Sequence, residues 1–255
     1  MIPHESVNVP NKIKKILMLM RHGEKLIKTG KKPKCGRFDS ELTSLGINQS
    51  FNSGKKFLSE LKKYNLSNIS PSEIHIISSP YMRTLQTTTY FIKGIESQNF
   101  FNNDNNNNNI CNLYNVSIEY GVREILNKDK LKGEQIPKKF LNFLNNPNYK
   151  DFDEELKKLK LNIINDCEFS TEKESKDECI QRCKKYVEQQ LINFDKDNKY
   201  KVIVIISHGG PIKYIMRRLG FNLDNEQKIL FCQQYYFDIT EGIENAKFIE
   251  RIDNN

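Results

Sequence analysis

The sequence lacks any apolar run that approaches the ~20 residues needed for a membrane-spanning helix. Its first twelve residues also lack the apolar segment of a secretory signal peptide. Six cysteines are present, and none has the spacing of metal ligands: Cys35, Cys111, Cys167, Cys179, Cys183 and Cys232. We therefore expect a cytoplasmic protein that does not bind a membrane, holds no metal and uses its cysteines mainly as small core residues.

Apolar residues are also scarce, at 37% of the 255 residues, but they are clustered. Two blocks stand out, at residues 16–20 and 202–206, and each is long enough for a buried strand. The length suits one domain over residues 12–255, preceded by a flexible tail at residues 1–11.

The formal net charge is +8, which favours anionic partners unless the lysines simply solvate the surface. Residues 12–37 hold ten Lys or Arg and a single acid, Glu24. We interpret this stretch as a positive rim around an anion site. No basic motif interleaved with aromatic residues is present, so we do not expect nucleic acid as a partner.

Strand patterns alternate with helix patterns along the chain. Strands are predicted at residues 16–20, 74–77, 116–119 and 202–206, with edge strands at 231–239 and 246–252. Helices are predicted at residues 43–63, 80–92, from about 171 to 191, and 211–219, with Thr43, Pro80, Thr171 and Pro211 at their starts. This order predicts an α/β three-layer sandwich, with a mostly parallel central sheet, an antiparallel edge strand and helices on both faces.

Two segments do not fit that alternation. An asparagine-rich tract at about residues 97–112 cannot pack a core, and it predicts a disordered insertion. Residues 127–170 are poorly periodic, and we expect short helices there that form a cap.

Polar residues follow three of the buried strands. Because ligands of such sheets bind beyond the carboxyl ends of the strands, these residues are expected to share one cleft. The three segments are Arg21-His22-Gly23, Ser78-Ser79-Pro80-Tyr81-Met82-Arg83 and Ser207-His208-Gly209-Gly210. Helices predicted just after the last two segments would also offer backbone N–H groups to an anion.

This combination is suited to phosphoryl transfer. Two guanidinium groups, Arg21 and Arg83, can each fork onto phosphate oxygens, and a neutral His22 can attack phosphorus. His208, if protonated, would add positive charge, and Gly209 would let the backbone approach the ligand. Lys25 either contacts substrate or belongs to a solvated loop.

The leaving oxygen also needs a proton, which a carboxyl group near the cleft could donate. Glu24 and Glu124 are the candidates. We prefer Glu124, because it follows the strand at 116–119 and is expected at the same edge of the sheet.

Taken together, these segments resemble the histidine phosphatase superfamily, the phosphoglycerate mutase-like enzymes. The matching motifs occur in the family's order between residues 21 and 210: Arg21-His22-Gly23-Glu24, Asp39-x-x-Leu42-Thr43-x-x-Gly46-x-x-Gln49, Ser79-Pro80-x-x-Arg83-x-x-Gln86-Thr87, Arg123-Glu124 and Ser207-His208-Gly209-Gly210. The resemblance implies a phosphohistidine on His22, a phosphate pocket of Arg21, Arg83 and His208, an acid/base at Glu124 and no metal.

The resemblance leaves the phosphoryl acceptor open. Cofactor-dependent mutases follow the acid with Arg-His-Tyr-Gly, whereas Glu124 is followed by Ile125-Leu126-Asn127-Lys128. This departure favours a phosphatase acting on a phosphorylated small molecule or phosphoprotein. The alternatives are a mutase, which would use 2,3-bisphosphoglycerate, and an inactive phospho-ligand binding module. A homodimer is compatible with either enzyme.

Overall fold

The computed structural model describes residues 14–30, 39–98, 114–125, 161–164, 174–223 and 227–253. The tail at residues 1–11, nearly all of the asparagine-rich insertion and most of the predicted cap lie outside the described residues. The cap prediction is wrong for four of its residues. Leu161–Ile164 form a strand in the main sheet, because this short segment pairs with a parallel neighbour.

Strands and helices alternate through the described residues. In chain order they are β1 (Ile16–Arg21), α1 (Ser44–Lys63), β2 (Ile74–Ser78), α2 (Met82–Glu96), β3 (Asn115–Glu119), β4 (Leu161–Ile164), α3 (Lys176–Tyr186), a π-helical segment (Val187–Leu191), α4 (Ile192–Lys196), β5 (Val202–Ser207), α5 (Gly209–Arg218), β6 (Gln234–Asp238) and β7 (Lys247–Ile252). No helix in this part of the chain is long and apolar enough to cross a membrane.

The strands form one sheet in the order β4-β3-β2-β5-β1-β6-β7. Strands β1 to β5 are parallel, and β6 pairs antiparallel with both β1 and β7. The mostly parallel sheet with an antiparallel pair at one edge confirms the predicted fold class. Its central trio, β2-β5-β1, consists of the three strands that precede the polar segments.

Side chains of β1 alternate between two apolar cores, which makes the three layers. Ile16, Met18 and Met20 pack on the face that α1 and α2 cover. Leu17 and Leu19 pack on the opposite face, with residues of α3 and α5. Because both faces of the sheet are covered, the strand is a continuous apolar run rather than an alternating one.

Helices α1 and α2 contact each other through glycine. A Cβ atom on Gly54 would lie 2.0 Å from the carbonyl oxygen of Phe91, and one on Gly94 would lie 2.0 Å from that of Phe51. The two backbones therefore touch, and any side chain at either position would push the helices apart.

Several element boundaries differ from the prediction. Helix α2 starts at Met82 rather than Pro80, because Tyr81 is extended and Asp39 Oδ1 accepts the Met82 N–H at 2.6 Å. Helix α5 starts at Gly209, with His208 as its N-cap, two residues before Pro211.

Two further differences concern the starts of α3 and β6. Helix α3 begins after a capping box of Ser175 and Glu178, so the predicted start at Thr171 is wrong. Strand β6 begins at Gln234, because residues 231 and 232 form a turn in which Cys232 has φ 53.

The contact between α1 and α2 leads us to predict that a Gly→Ala substitution in a helix will lower the stability of the protein. Gly→Ala in the middle of a free helix stabilises it by about 1 kcal/mol. We expect Gly54→Ala instead to destabilise the protein by about 1–3 kcal/mol, the usual cost of overpacking. Urea unfolding measures the change, with exposed Asn52→Ala on the same helix as control. An increase in the unfolding midpoint for Gly54→Ala would contradict the contact.

Candidate active site

The polar segments meet at the carboxyl edge of the central strands. Arg21 ends β1 and is paired in register with Ser207 at the end of β5, while Ser78 of β2 pairs with Ile206. Because β5 lies between β1 and β2 in the sheet, His208, which follows β5, lies between the segments that follow β1 and β2. The ring centroids of His22 and His208 are 5.2 Å apart.

One tautomer of His22 is set by the backbone. Its Nδ1 lies 2.7 Å from the carbonyl oxygen of Gly23. A carbonyl can only accept, so Nδ1 carries the proton and Nε2 keeps a lone pair. The side chain is 2% exposed. His22 is thus a buried imidazole whose free lone pair is on Nε2.

The electrostatic surroundings keep both histidines neutral. Burial lowers the pKa of His22 well below its ordinary value, and the charges of Arg83, Arg21 and Lys25 lower it further. Burial also lowers the pKa of His208, again with Arg83 as the largest charged contributor. His208 is therefore neutral at pH 7 in this arrangement, and the positive charge comes from the arginines.

Both arginines of the site lie against aromatic rings. The Arg21 guanidinium carbon is 4.3 Å from the ring centre of Phe231, and that of Arg83 is 4.3 Å from the ring centre of Tyr81. Arg21 Nη1 donates to the carbonyl oxygen of Ile229. Stacking fixes each guanidinium plane while leaving its edge for polar contacts. Two guanidinium groups near the N-terminus of α5 are an arrangement that can bind an anion.

Glu124 is the predicted carboxyl group that lies beside the histidines. Its Oε2 is 3.8 Å from His208 Nδ1 and 4.0 Å from Arg83 Nη2, and its side chain is 20% exposed. Glu24, the other candidate, instead accepts from Thr43 Oγ1 at 2.9 Å, at the N-cap of α1. The geometry thus favours Glu124 for exchanging protons with a ligand.

Two predicted contact residues lie at the rim of this group. Lys25 follows the His22 loop and forms a β-bridge with Leu42. Gly209 is the first residue of α5, and a Cβ atom there would come within 3.9 Å of Arg21 Nε. Lys25 contributes charge to the site, and Gly209 brings the helix N-terminus to it. Their roles in substrate binding remain predictions.

The family-like motifs also contain residues to which the sequence assigned no role. Their side chains accept hydrogen bonds from backbone N–H groups of the site loops. Thr87 Oγ1 accepts from Gly23 at 3.0 Å, Gln49 Oε1 from Glu24 at 3.0 Å, and Gln86 Oε1 from Leu42 at 2.8 Å. The motif spacing marked these positions, but only the tertiary contacts reveal that they hold the loops in place.

Ser79 and Phe231 are further members of the site. Ser79 Oγ lies 2.8 Å from His208 Nε2, and the ring centre of Phe231 lies 5.7 Å from that of His22. The sequence analysis included Ser79 in one of the three segments expected at the cleft, but it gave the residue no role. It placed Phe231 in an edge strand, and no local pattern distinguishes Phe231 as a neighbour of the histidines.

The charge of Arg83 should be visible in the titration of both histidines. We expect Arg83→Met to raise the pKa of His22 and His208, because a nearby positive charge disfavours protonation. NMR titration of the chain's four histidines measures the shift. Arg218→Met is the control, since Arg218 pairs with Glu188 at the surface. Equal shifts in both variants would contradict the arrangement.

Comparison with known proteins places the chain in a family. The profile described as "Histidine phosphatase superfamily (branch 2)" matches residues 32–233, most of the chain. This span includes Arg83, Glu124 and His208 and begins after Arg21 and His22. A search of curated proteins found no significant match.

Solved structures share the fold at low sequence identity. Ecdysone phosphate phosphatase from Bombyx mori, in complex with tungstate, is 17% identical over 92% of each chain, with a TM-score of 0.57. Phosphoserine phosphatase from Entamoeba histolytica, with 3-phosphoglyceric acid, is 21% identical over 94% of this chain and 97% of its own, with a TM-score of 0.50. Mycobacterial glucosyl-3-phosphoglycerate phosphatase, with VO3, is 15% identical over 92% and 96%, with a TM-score of 0.50. The order of the motifs and the match to the family profile together show that the chain belongs to the histidine phosphatase superfamily.

Proposed function

We propose that the protein is a phosphomonoester phosphatase that works through a phosphohistidine intermediate on His22. The observation that carries the proposal is a buried, neutral imidazole with a free Nε2 lone pair beside two guanidinium groups. Such a group can attack phosphorus, and the guanidinium groups can stabilise the negative charge on the transferring phosphoryl oxygens. An unreactive histidine would not need this combination.

In the first half-reaction, the Nε2 lone pair of His22 forms the P–N bond as the bond from phosphorus to the leaving oxygen breaks. The electron pair of the broken bond goes to that oxygen. Glu124, in its carboxylic acid form, gives the oxygen a proton, and an alcohol departs. Arg21, Arg83 and His208 hold the phosphoryl oxygens.

In the second half-reaction, a water molecule attacks the phosphohistidine. The Glu124 carboxylate takes a proton from the water as its oxygen bonds to phosphorus. The P–N bond breaks, its electron pair returns to His22 Nε2, and inorganic phosphate is released. Glu124 is again an acid and His22 again neutral, so the cycle closes without a metal ion or organic cofactor.

Two observations support hydrolysis over transfer to a sugar acid. The sequence after Glu124 departs from the Arg-His-Tyr-Gly stretch of the cofactor-dependent mutases. The three similar structures named above are all called phosphatases, and two of them contain tungstate or VO3. A phosphoglycerate mutase is the second candidate, since it would share the first half-reaction and use 2,3-bisphosphoglycerate.

Substrate choice separates these candidates. We expect the protein to release phosphate from p-nitrophenyl phosphate and to show no mutase turnover with 3-phosphoglycerate plus 2,3-bisphosphoglycerate, because water is the acceptor. Phosphate release and phosphoglycerate isomerisation are measured side by side. Mutase turnover with negligible phosphate release would overturn the phosphatase, and binding of phosphate without either reaction would identify an inactive module.

The nucleophile has its own test. We expect His22→Asn to lose phosphatase activity by at least about 10³-fold, because the covalent route is removed. Wild-type protein quenched during turnover should carry an acid-labile, base-stable phosphate that the variant lacks. Tungstate binding, measured by its effect on thermal unfolding, is the control and should persist, since Arg21 and Arg83 remain. Full activity in the His22→Asn variant would contradict a mechanism that passes through a phosphohistidine on His22.

A further inference from the structure

The short loop that carries Glu124 is fastened through its backbone. Each of the four successive carbonyl oxygens from residue 121 to residue 124 accepts a hydrogen bond from a side chain. The donors are Arg182 Nη1 to Gly121 at 2.6 Å, Ser207 Oγ to Val122 at 2.5 Å, Arg182 Nη2 to Arg123 at 3.2 Å and Arg123 Nη1 to Glu124 at 3.2 Å. Arg182 on α3 supplies two of these four bonds.

Arg182 is itself held by one carboxylate. Its Nε and Nη2 donate to Glu174 at 2.7 and 2.8 Å, and Arg123 donates to the same carboxylate at 3.2 and 3.4 Å. Glu174 therefore accepts four charge-assisted hydrogen bonds from two guanidinium groups. Its side chain is 7% exposed, so the bonds are shielded from water.

The polar contacts of the Glu124 carboxylate are longer than most of those made by the backbone of its loop. Its Oε2 lies 3.8 Å from Nδ1 of the neutral His208 and 4.0 Å from Arg83 Nη2, and its Oε1 accepts a hydrogen bond from the backbone N–H of Ile125 at 3.2 Å. A general acid must nevertheless lie within about 3 Å of the oxygen that it protonates. The position of the Glu124 backbone therefore determines where the carboxyl group can reach.

Apolar packing alone does not explain the arrangement. The loop already lies directly on α3, since a Cβ atom on Gly121 would come within 2.7 Å of Tyr186. Burying two like-charged guanidinium groups carries a desolvation cost that apolar residues would avoid. The arginines instead fix the orientation of the loop backbone, because one planar guanidinium group can hold two carbonyl groups in a defined orientation.

We propose that Arg182 and Glu174 are positioning residues that hold the Glu124 loop so that its carboxyl group reaches the leaving oxygen. The inference rests on the proposed function, in which Glu124 is the proton donor. It extends that function to a pair that touches no reacting atom and lies on a different element from any predicted site residue.

The test compares two phosphomonoesters whose leaving groups differ in their need for a proton. With 2-glycerophosphate an alkoxide must leave, whereas p-nitrophenolate leaves from p-nitrophenyl phosphate with little help. We expect Arg182→Lys to lower kcat/KM for 2-glycerophosphate by about 10- to 100-fold and that for p-nitrophenyl phosphate by less than about 3-fold. Glu174→Gln should act in the same direction.

Two further variants complete the comparison. Arg218→Lys is the matched control, because Arg218 makes a similar pair with Glu188 at 3.0 Å but is more than a third exposed and lies away from the loop. It should leave both rates unchanged. Glu124→Gln is the reference for complete loss of the proton donor, with a loss of about 10²- to 10⁴-fold on 2-glycerophosphate.

Failure of the inference and failure of the proposed function give different results. If Glu124→Gln affects both substrates equally or neither, Glu124 is not the proton donor and the proposed function is wrong in that respect. A different result is that Glu124→Gln lowers kcat/KM much more for 2-glycerophosphate than for p-nitrophenyl phosphate while Arg182→Lys and Glu174→Gln lower both values equally. In that case the pair is merely structural. Thermal unfolding identifies a variant that does not fold, and the other variant of the pair then decides.

Discussion

The hydrogen bond from His22 Nδ1 to the Gly23 carbonyl is the constraint on which the site depends. It is an interaction with the next residue along the chain, so it is set as soon as the loop after β1 takes its shape. That shape is fixed from outside by Thr87, which accepts the Gly23 N–H. It also requires Gly46, where a Cβ atom would lie 2.2 Å from the Glu24 carbonyl oxygen. Contacts among α1, α2 and the loop after β1 thus determine that the lone pair of His22 is on Nε2.

Burial and positive charge act on the histidines in the same direction. Each lowers the pKa of the imidazoles, so both histidines stay neutral beside two guanidinium groups. Both arginines stack on aromatic rings, and carboxylate oxygens of Asp39 and Glu124 lie 4.0 Å from the Arg83 guanidinium. Two guanidinium groups at the N-terminus of α5 give this part of the molecule a positive potential, which can favour an anionic ligand.

Sequence patterns predicted the parts of this molecule that local chemistry determines. The buried strands, the capped start of α1 at Thr43 and the gathering of His22, Arg83 and His208 at one sheet edge all follow from short-range signals. The helix starts near Pro80 and Pro211 were misplaced, because a proline tolerates several positions around a first turn. Residues 161–164 were misassigned because a strand of four residues, three of them apolar, is too short to show a usable period. The links among Arg182, Glu174 and the Glu124 loop join segments about 50 to 60 residues apart, and no local pattern can reveal them.

The strand order has a consequence for how the molecule is made. β5 lies between β1 and β2 in the sheet, yet it is the last of the three to leave the ribosome. A nascent chain that ends before residue 202 therefore lacks His208, and its β1 has neither of its two partner strands, since β6 is also made later. Because β5 joins β1 to β2 and carries His208 to His22, the two histidines can meet only when the centre of the sheet has formed.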